Sequence, residues 1–225
     1  MEFSERLIKK GQPILKQILK HPFVEGIGQG DVSKDALAFY VGQDFNYLNA
    51  FMKVYAAAIQ KSNSRDQIQL FTNQIEFTLN SEIQPHIDFC KVAGIEYSTV
   101  QNDKQAPMTY LYNEHMYNAA RTGDLIDVVA SMLPCPWTYS VIGETLIEQG
   151  SSTESNPFKS WIDFYAGVNS EDKMLSVQLF DILDLEASKY SDEKLKEVED
   201  RFLKSCELEW HFWDQAYYQR DWKFV

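Results

Sequence analysis

An all-α fold is what this sequence predicts, and three observations predict it. Apolar residues recur every three to four positions through nearly every segment, as amphipathic helices require. No stretch sustains the period-two alternation of a half-buried strand. Proline, glycine and serine punctuate the chain where helices would begin and end.

The elements follow in order. Ser33 is placed to cap a long helix running to about Gln60. Before it, Gly26-Ile27-Gly28-Gln29-Gly30 is glycine-rich but follows no strand, and is expected to be a loop between helices. A helix over Gln74–Val92 would carry a kink at Pro85 and close at Gly94. Pro107 suits the first turn of a helix to about Arg121, with Gly123 just beyond. Asn156-Pro157 opens another, closed near Gly167. Ser170 before Glu171-Asp172, and Ser191 before Asp192-Glu193, mark two starts whose acidic first turns suit the helix dipole. Seven or eight helices result. The candidate linkers, 96–106 and 149–154, are too short to separate domains, so residues 1–225 are expected to form a single compact bundle.

Composition narrows the partners. The 225 residues carry a net charge of −12 with no local basic stripe, which argues against nucleic acid and anionic membrane surfaces and tolerates cationic small molecules. No apolar run reads as a membrane span, and the acidic, amphipathic N-terminus is unlike a signal peptide, so a cytoplasmic protein is expected. Three well-separated cysteines, Cys90, Cys135 and Cys206, without a C-x-x-C pair, fit reduced thiols.

The informative positions are ionisable or nucleophilic groups on apolar faces. On the helix after Ser33, Tyr40, Tyr47, Phe51 and Tyr55 share one face at ~100° per residue, with Asp44 at its centre. A carboxylate there needs a partner, either another helix or a ligand with an amino group. The last helix carries Phe202, Cys206, Trp210, Trp213, Ala216 and Tyr217 as its apolar stripe. Glu209 projects inside that stripe and Glu207 near its edge, which makes Glu209 the candidate acid/base and Glu207 a surface charge. The sharpest feature is Leu133-Pro134-Cys135-Pro136-Trp137-Thr138-Tyr139. Two prolines flank a thiol in an apolar helical stretch, a local conflict of ~3 kcal/mol each if both are interior, and such conflicts mark functional sites. Tyr139, one turn on, shares the cysteine's face. Cys90 and Cys206 have no such surroundings and are expected to be packing residues.

Four histidines leave little for metal chemistry, and Glu-x-x-His, His-Glu-x-x-His, P-loop and dinucleotide motifs are absent. His21 before Pro22 is a weak haem-ligand candidate, and nothing links His115 or His211 to Cys135 as a protease pair.

In combination, Tyr40-Val-Gly-Gln-Asp44-Phe-Asn-Tyr47-Leu, the Cys135 segment with Ile142-Gly143, Trp161-Ile-Asp-Phe-Tyr165 and Glu209-Trp-His-Phe212-Trp213 make the sequence resemble the TenA family, the thiaminase II enzymes, in its cysteine-containing branch. The resemblance spans nearly the whole chain. It implies a haem-oxygenase-like helical fold and hydrolytic C–N cleavage of aminopyrimidine breakdown products of thiamin, and of thiamin itself, in thiamin salvage. Cys135 would be the nucleophile, Glu209 the proton carrier, and Asp44 the group that meets the pyrimidine amino edge and orients Cys135. Tyr47, Tyr112, Tyr139, Tyr165 and Phe212 would line or stack on the substrate; Tyr112 enters through the family alone. The resemblance further implies a homotetramer and no metal or organic cofactor. Two other readings fit the same fold: a haem or quinone oxidoreductase, and a non-catalytic pyrimidine-sensing regulator.

Overall fold

A computed structural model of the chain describes residues 2–81, 83–168 and 174–225. Among the described residues there are twelve helices and no strand. In order these are α1 Phe3–Ile18, α2 Pro22–Gln29, α3 Lys34–Lys61, α4 Arg65–Asn80, α5 Ile83–Ala93 and α6 Tyr97–Val100. They are followed by α7 Pro107–Thr122, α8 Leu125–Met132, α9 Pro134–Glu148, α10 Lys159–Tyr165, α11 Leu175–Ala187 and α12 Asp192–Tyr218.

The helix starts read from sequence are made by the side chains proposed for them. Ser33 Oγ accepts from the Ala36 N–H and Ser191 Oγ from the Lys194 N–H. Asn156 Oδ1 accepts from the N–H of Phe158, the N-cap of α10, while its amide donates to the carbonyls of Ile27, Gly28 and Ser151, so one residue turns the chain before α10 and ties it to α2. The start at Ser170 lies outside the described residues.

Three expectations are corrected. The glycine-rich stretch 26–30 is the second half of α2 and its cap: Phe23, Val24 and Ile27 are buried there, which outweighs the low helix propensity of glycine, and Gly30 at φ 75° ends the helix. The helix expected over Gln74–Val92 is two, α4 and α5, and Pro85 sits in the first turn of α5, where a missing N–H breaks no ladder bond. Pro134 and Pro136 are likewise not interior. A break at Leu133 puts them in the first turn of α9, so the expected cost of several kcal/mol does not arise.

Two long helices organise the packing. α3 contacts α4, α5, α7, α8 and α12, and α12 contacts α1, α2, α3, α7, α8 and α9. Aromatic rings fill the space between them: Tyr40 stacks on Trp213 at 5.3 Å, Trp213 on Tyr139 at 5.2 Å, and Phe89 on Trp161 at 5.8 Å. Together α8 and α9, Leu125–Glu148, have the length of a membrane span, and an 18-residue window within them has a mean hydropathy of 1.3, yet 83% of that window is buried inside the protein. Its hydrophobicity is accounted for by the core it fills.

Candidate active site

The helices α3, α4, α9, α10 and α11 surround a cavity of about 1050 Å³, ample for a small organic molecule. Asp44, Cys135, Tyr139 and Tyr165 line it together with Phe51 and Phe164. The proline pair explains the placement of the thiol. By starting α9 at Pro134, the chain sets Cys135 in the first turn of a helix, half-buried at the cavity wall, whereas Cys90 and Cys206 are buried elsewhere. Burial pushes the Cys90 thiol up to about 11 and raises the Cys206 thiol well above its ordinary value, so both stay protonated packing residues.

Tyr47, Tyr112, Glu209 and Phe212 are not on the cavity surface itself. They form a buried layer behind it, joined by ring contacts of Tyr47 with Tyr112 at 5.0 Å and with Phe212 at 5.8 Å. The Tyr112 hydroxyl donates to Glu209 Oε1 at 2.7 Å. Glu209 is 2% exposed, and burial, reinforced by the Asp44 charge and partly offset by the Tyr112 hydrogen bond, raises its carboxyl to about 8. It therefore carries a proton at neutral pH. Glu207, two residues earlier, is exposed beside His211 at 3.8 Å, as the helical phase requires.

The tyrosines remain phenols. Burial raises Tyr40, Tyr47, Tyr112 and Tyr139 well above their ordinary value, with the neighbouring acidic groups adding to it. Tyr40 and Tyr139 share a hydroxyl–hydroxyl hydrogen bond of 2.7 Å. The Tyr47 hydroxyl is buried, meets the Tyr112 phenol in a loose hydrogen bond, and interacts electrostatically with the Cys135 thiol.

Gly143 brings α9 and α10 together. A Cβ there would lie 2.4 Å from Ala166 N and 2.7 Å from the Tyr165 carbonyl carbon, both backbone atoms. The missing side chain lets Tyr165 pack on Tyr139 at 4.8 Å.

One residue of this region was missed from sequence. His86, on α5 and 1% exposed, places Nε2 2.7 Å from Asp44 Oδ2. The signal was available: Asp44 demanded a partner, and His86 shares the buried face of its helix with Phe89, Cys90 and Ala93. His21 does different work from the ligand role considered for it. Buried at 3%, it accepts the Phe23 N–H through Nδ1 as the N-cap of α2, and Nε2 lies 3.8 Å from Asp214. His115 Nε2 faces the Arg201 carbonyl at 3.2 Å. Among the described residues no three His, Cys, Asp or Glu side chains converge as a metal site would.

Comparison with known proteins bears on the fold and the family. A protein named aminopyrimidine aminohydrolase from Halalkalibacterium halodurans is 34% identical over 224 residues, covering 100% of this chain and 99% of its own. The TenA homologue protein from P. horikoshii OT3 superposes with a TM-score of 0.84 at 21% identity, over 97% of this chain and 99% of that one. A Shewanella denitrificans domain of unknown function with a heme oxygenase-like fold gives a TM-score of 0.71 at 14% identity, over 96% and 92%. At such identities the two structures speak for the fold, and they bear out the haem-oxygenase-like architecture. The TENA/THI-4/PQQC family model matches residues 8–220. With so complete a match in sequence and in helical architecture, the chain belongs to the TENA/THI-4/PQQC family.

Proposed function

We propose that this protein is an aminopyrimidine aminohydrolase of the thiaminase II type. It hydrolyses the C–N bond at the pyrimidine methylene of thiamin-breakdown products, and of thiamin, to give hydroxymethylpyrimidine. The observation that carries the reading is one arrangement. A half-buried thiol and a buried carboxylate meet at one cavity, backed by a protonated carboxyl held by a tyrosine.

The chemistry follows from these groups. Asp44 receives the amino edge of the pyrimidine, and Tyr139 and Tyr165 pack against the ring. The Cys135 thiolate adds to the ring and forms a C–S bond, which interrupts aromaticity. Electrons returning through the ring expel the methylene amine, and the Glu209 proton goes to that leaving nitrogen. Water, deprotonated by the Glu209 carboxylate, adds to the exocyclic carbon. Loss of the thiolate restores the aromatic ring. The net change is amine plus water to alcohol plus ammonia; from thiamin, whose thiazolium nitrogen leaves as neutral thiazole without taking a proton, it is alcohol plus thiazole plus one released proton.

A fold of one domain, a place in thiamin salvage, a cytoplasmic setting and a homotetramer belong to the same proposal. Tyr110 and Trp222 support self-association: they meet at 6.2 Å and are 50% and 44% exposed. Sedimentation velocity reads the oligomer directly.

The test of the activity is product release from aminomethylpyrimidine and from thiamin, with wild type and Cys135→Ser in parallel. Wild type should form hydroxymethylpyrimidine, while Cys135→Ser should bind substrate and form none. Binding without turnover in wild type would transfer the protein to the sensor reading, and full activity in Cys135→Ser would remove the nucleophile.

A further inference from the structure

The mechanism above uses Asp44 but leaves its partner without a role. The Asp44 carboxylate is buried, and His86 Nε2 meets its Oδ2 at 2.7 Å. The other ring nitrogen, Nδ1, is 3.2 Å from the Tyr97 phenol oxygen. Tyr97 sits on the short α6, packed edge to face on Phe45 at 6.1 Å, and the Gln101 side chain hydrogen-bonds the same phenol.

These contacts give the chain a direction. A carboxylate oxygen accepts, so the 2.7 Å contact at Asp44 Oδ2 places a ring hydrogen on His86 Nε2. In that tautomer Nδ1 accepts, and the Tyr97 hydroxyl 3.2 Å away donates to it. Oδ2 is taken up by this contact, and the Asp44 side chain lines the cavity.

We propose that His86, oriented by Tyr97, is a positioning residue that fixes the Asp44 carboxylate so that Oδ1 receives the amino edge of the bound pyrimidine. The proposal rests on the reading of Asp44 as the substrate anchor. His86 touches no substrate and acts through the aspartate alone. A carboxylate held by one oxygen on a rigid donor presents the other in one direction, which is how a partner behind a site orients the group in front.

The experiment is a double-mutant cycle in the full-length protein, with aminomethylpyrimidine as substrate and rates normalised to folded protein by circular dichroism. His86→Leu should lower kcat/KM by roughly 10- to 100-fold, mostly through KM, because it removes a hydrogen bond to the Asp44 carboxylate. His86→Gln, whose amide nitrogen can stand in for Nε2, should recover to within about threefold of wild type. Tyr97→Phe should cost about 3- to 10-fold. In an Asp44→Asn background, His86→Leu should cost nothing further, since the two act as one unit. Losses that multiply in the double variant would overturn the proposal, as would a His86→Gln as impaired as His86→Leu, or an unchanged KM in both. If His86→Leu does not fold, His86→Gln and Tyr97→Phe carry the cycle with Asp44→Asn. Wild type without turnover would instead remove the proposed hydrolase, whereas an active wild type with multiplying losses removes His86 alone.

Discussion

Replacing Glu209 by glutamine tests the buried proton on which the proposed chemistry depends. Glutamine keeps the size and the neutral charge of a protonated glutamic acid but cannot ionise. In the wild type the carboxyl has an ordinary value of 4.5 and rises to about 8 in the folded protein. Between those values the unfolded chain ionises and the folded one does not, so stability is fully present below pH 4.5 and is lost as pH rises to 8. At about 1.36 kcal/mol per pH unit, that span sets a ceiling of roughly 5 kcal/mol. Glu209→Gln removes this loss. Urea unfolding of both proteins at intervals from pH 5 to pH 9 reads it: the variant should gain on the wild type steadily up to about pH 8, then run parallel. Its turnover should fall on the order of 10²–10⁴ if the group is the acid/base. Stability curves parallel over the whole range would refute the buried protonated carboxyl. A pH-dependent stability gap without a loss of rate would refute only its part in catalysis.

Other perturbations separate site from scaffold. Gly143→Ala places a methyl against backbone atoms of residues 165 and 166; it should cost about 1–3 kcal/mol in a thermal melt and raise KM by displacing Tyr165. Glu207→Gln should leave kcat/KM near wild type because the side chain is exposed, and a larger effect than that of Glu209→Gln would overturn the helical-phase argument. His115 is held neutral by burial and by the Arg201 charge, down to about 4. The folded protein therefore resists protonation there; stability present above pH 6.5 is lost as pH falls through 4, and His115→Gln should flatten that acid limb without changing turnover. His21→Ala should cost about 1 kcal/mol as a lost cap, and hemin should give no Soret band with either protein. A band present in wild type and absent in His21→Ala would restore the haem reading.

The helical class and most helix starts were legible because they are local. Ser33 and Ser191 cap, and Asn156 turns the chain, within a few residues of themselves, and a 3.6-residue period survives in the sequence whatever the neighbours are. The same holds for Asp44 and Glu209, each a polar group on an apolar stripe. Where tertiary burial competes with propensity, local reading failed. Gly26 and Gly28 read as loop, but Phe23, Val24 and Ile27 carry them into α2 by filling the core. The prolines around Cys135 read as a costly interruption because sequence does not reveal that a new helix begins between Leu133 and Pro134.

By itself, then, the sequence determined the all-helical class, the polar intrusions at Asp44 and Glu209, and the unusual thiol at Cys135, since each depends on composition and spacing along one helix. The tertiary structure decided which of them meet. The approach of α9 to α10 across Gly143, the pairing of His86 with Asp44 and of Tyr112 with Glu209, and the depth that keeps Glu209 protonated all join residues 42 to 97 positions apart or backbones in close contact. Such contacts depend on how helices cross, and a carboxyl's proton depends on how much water the crossing excludes; neither is written in the periodicity of any one segment.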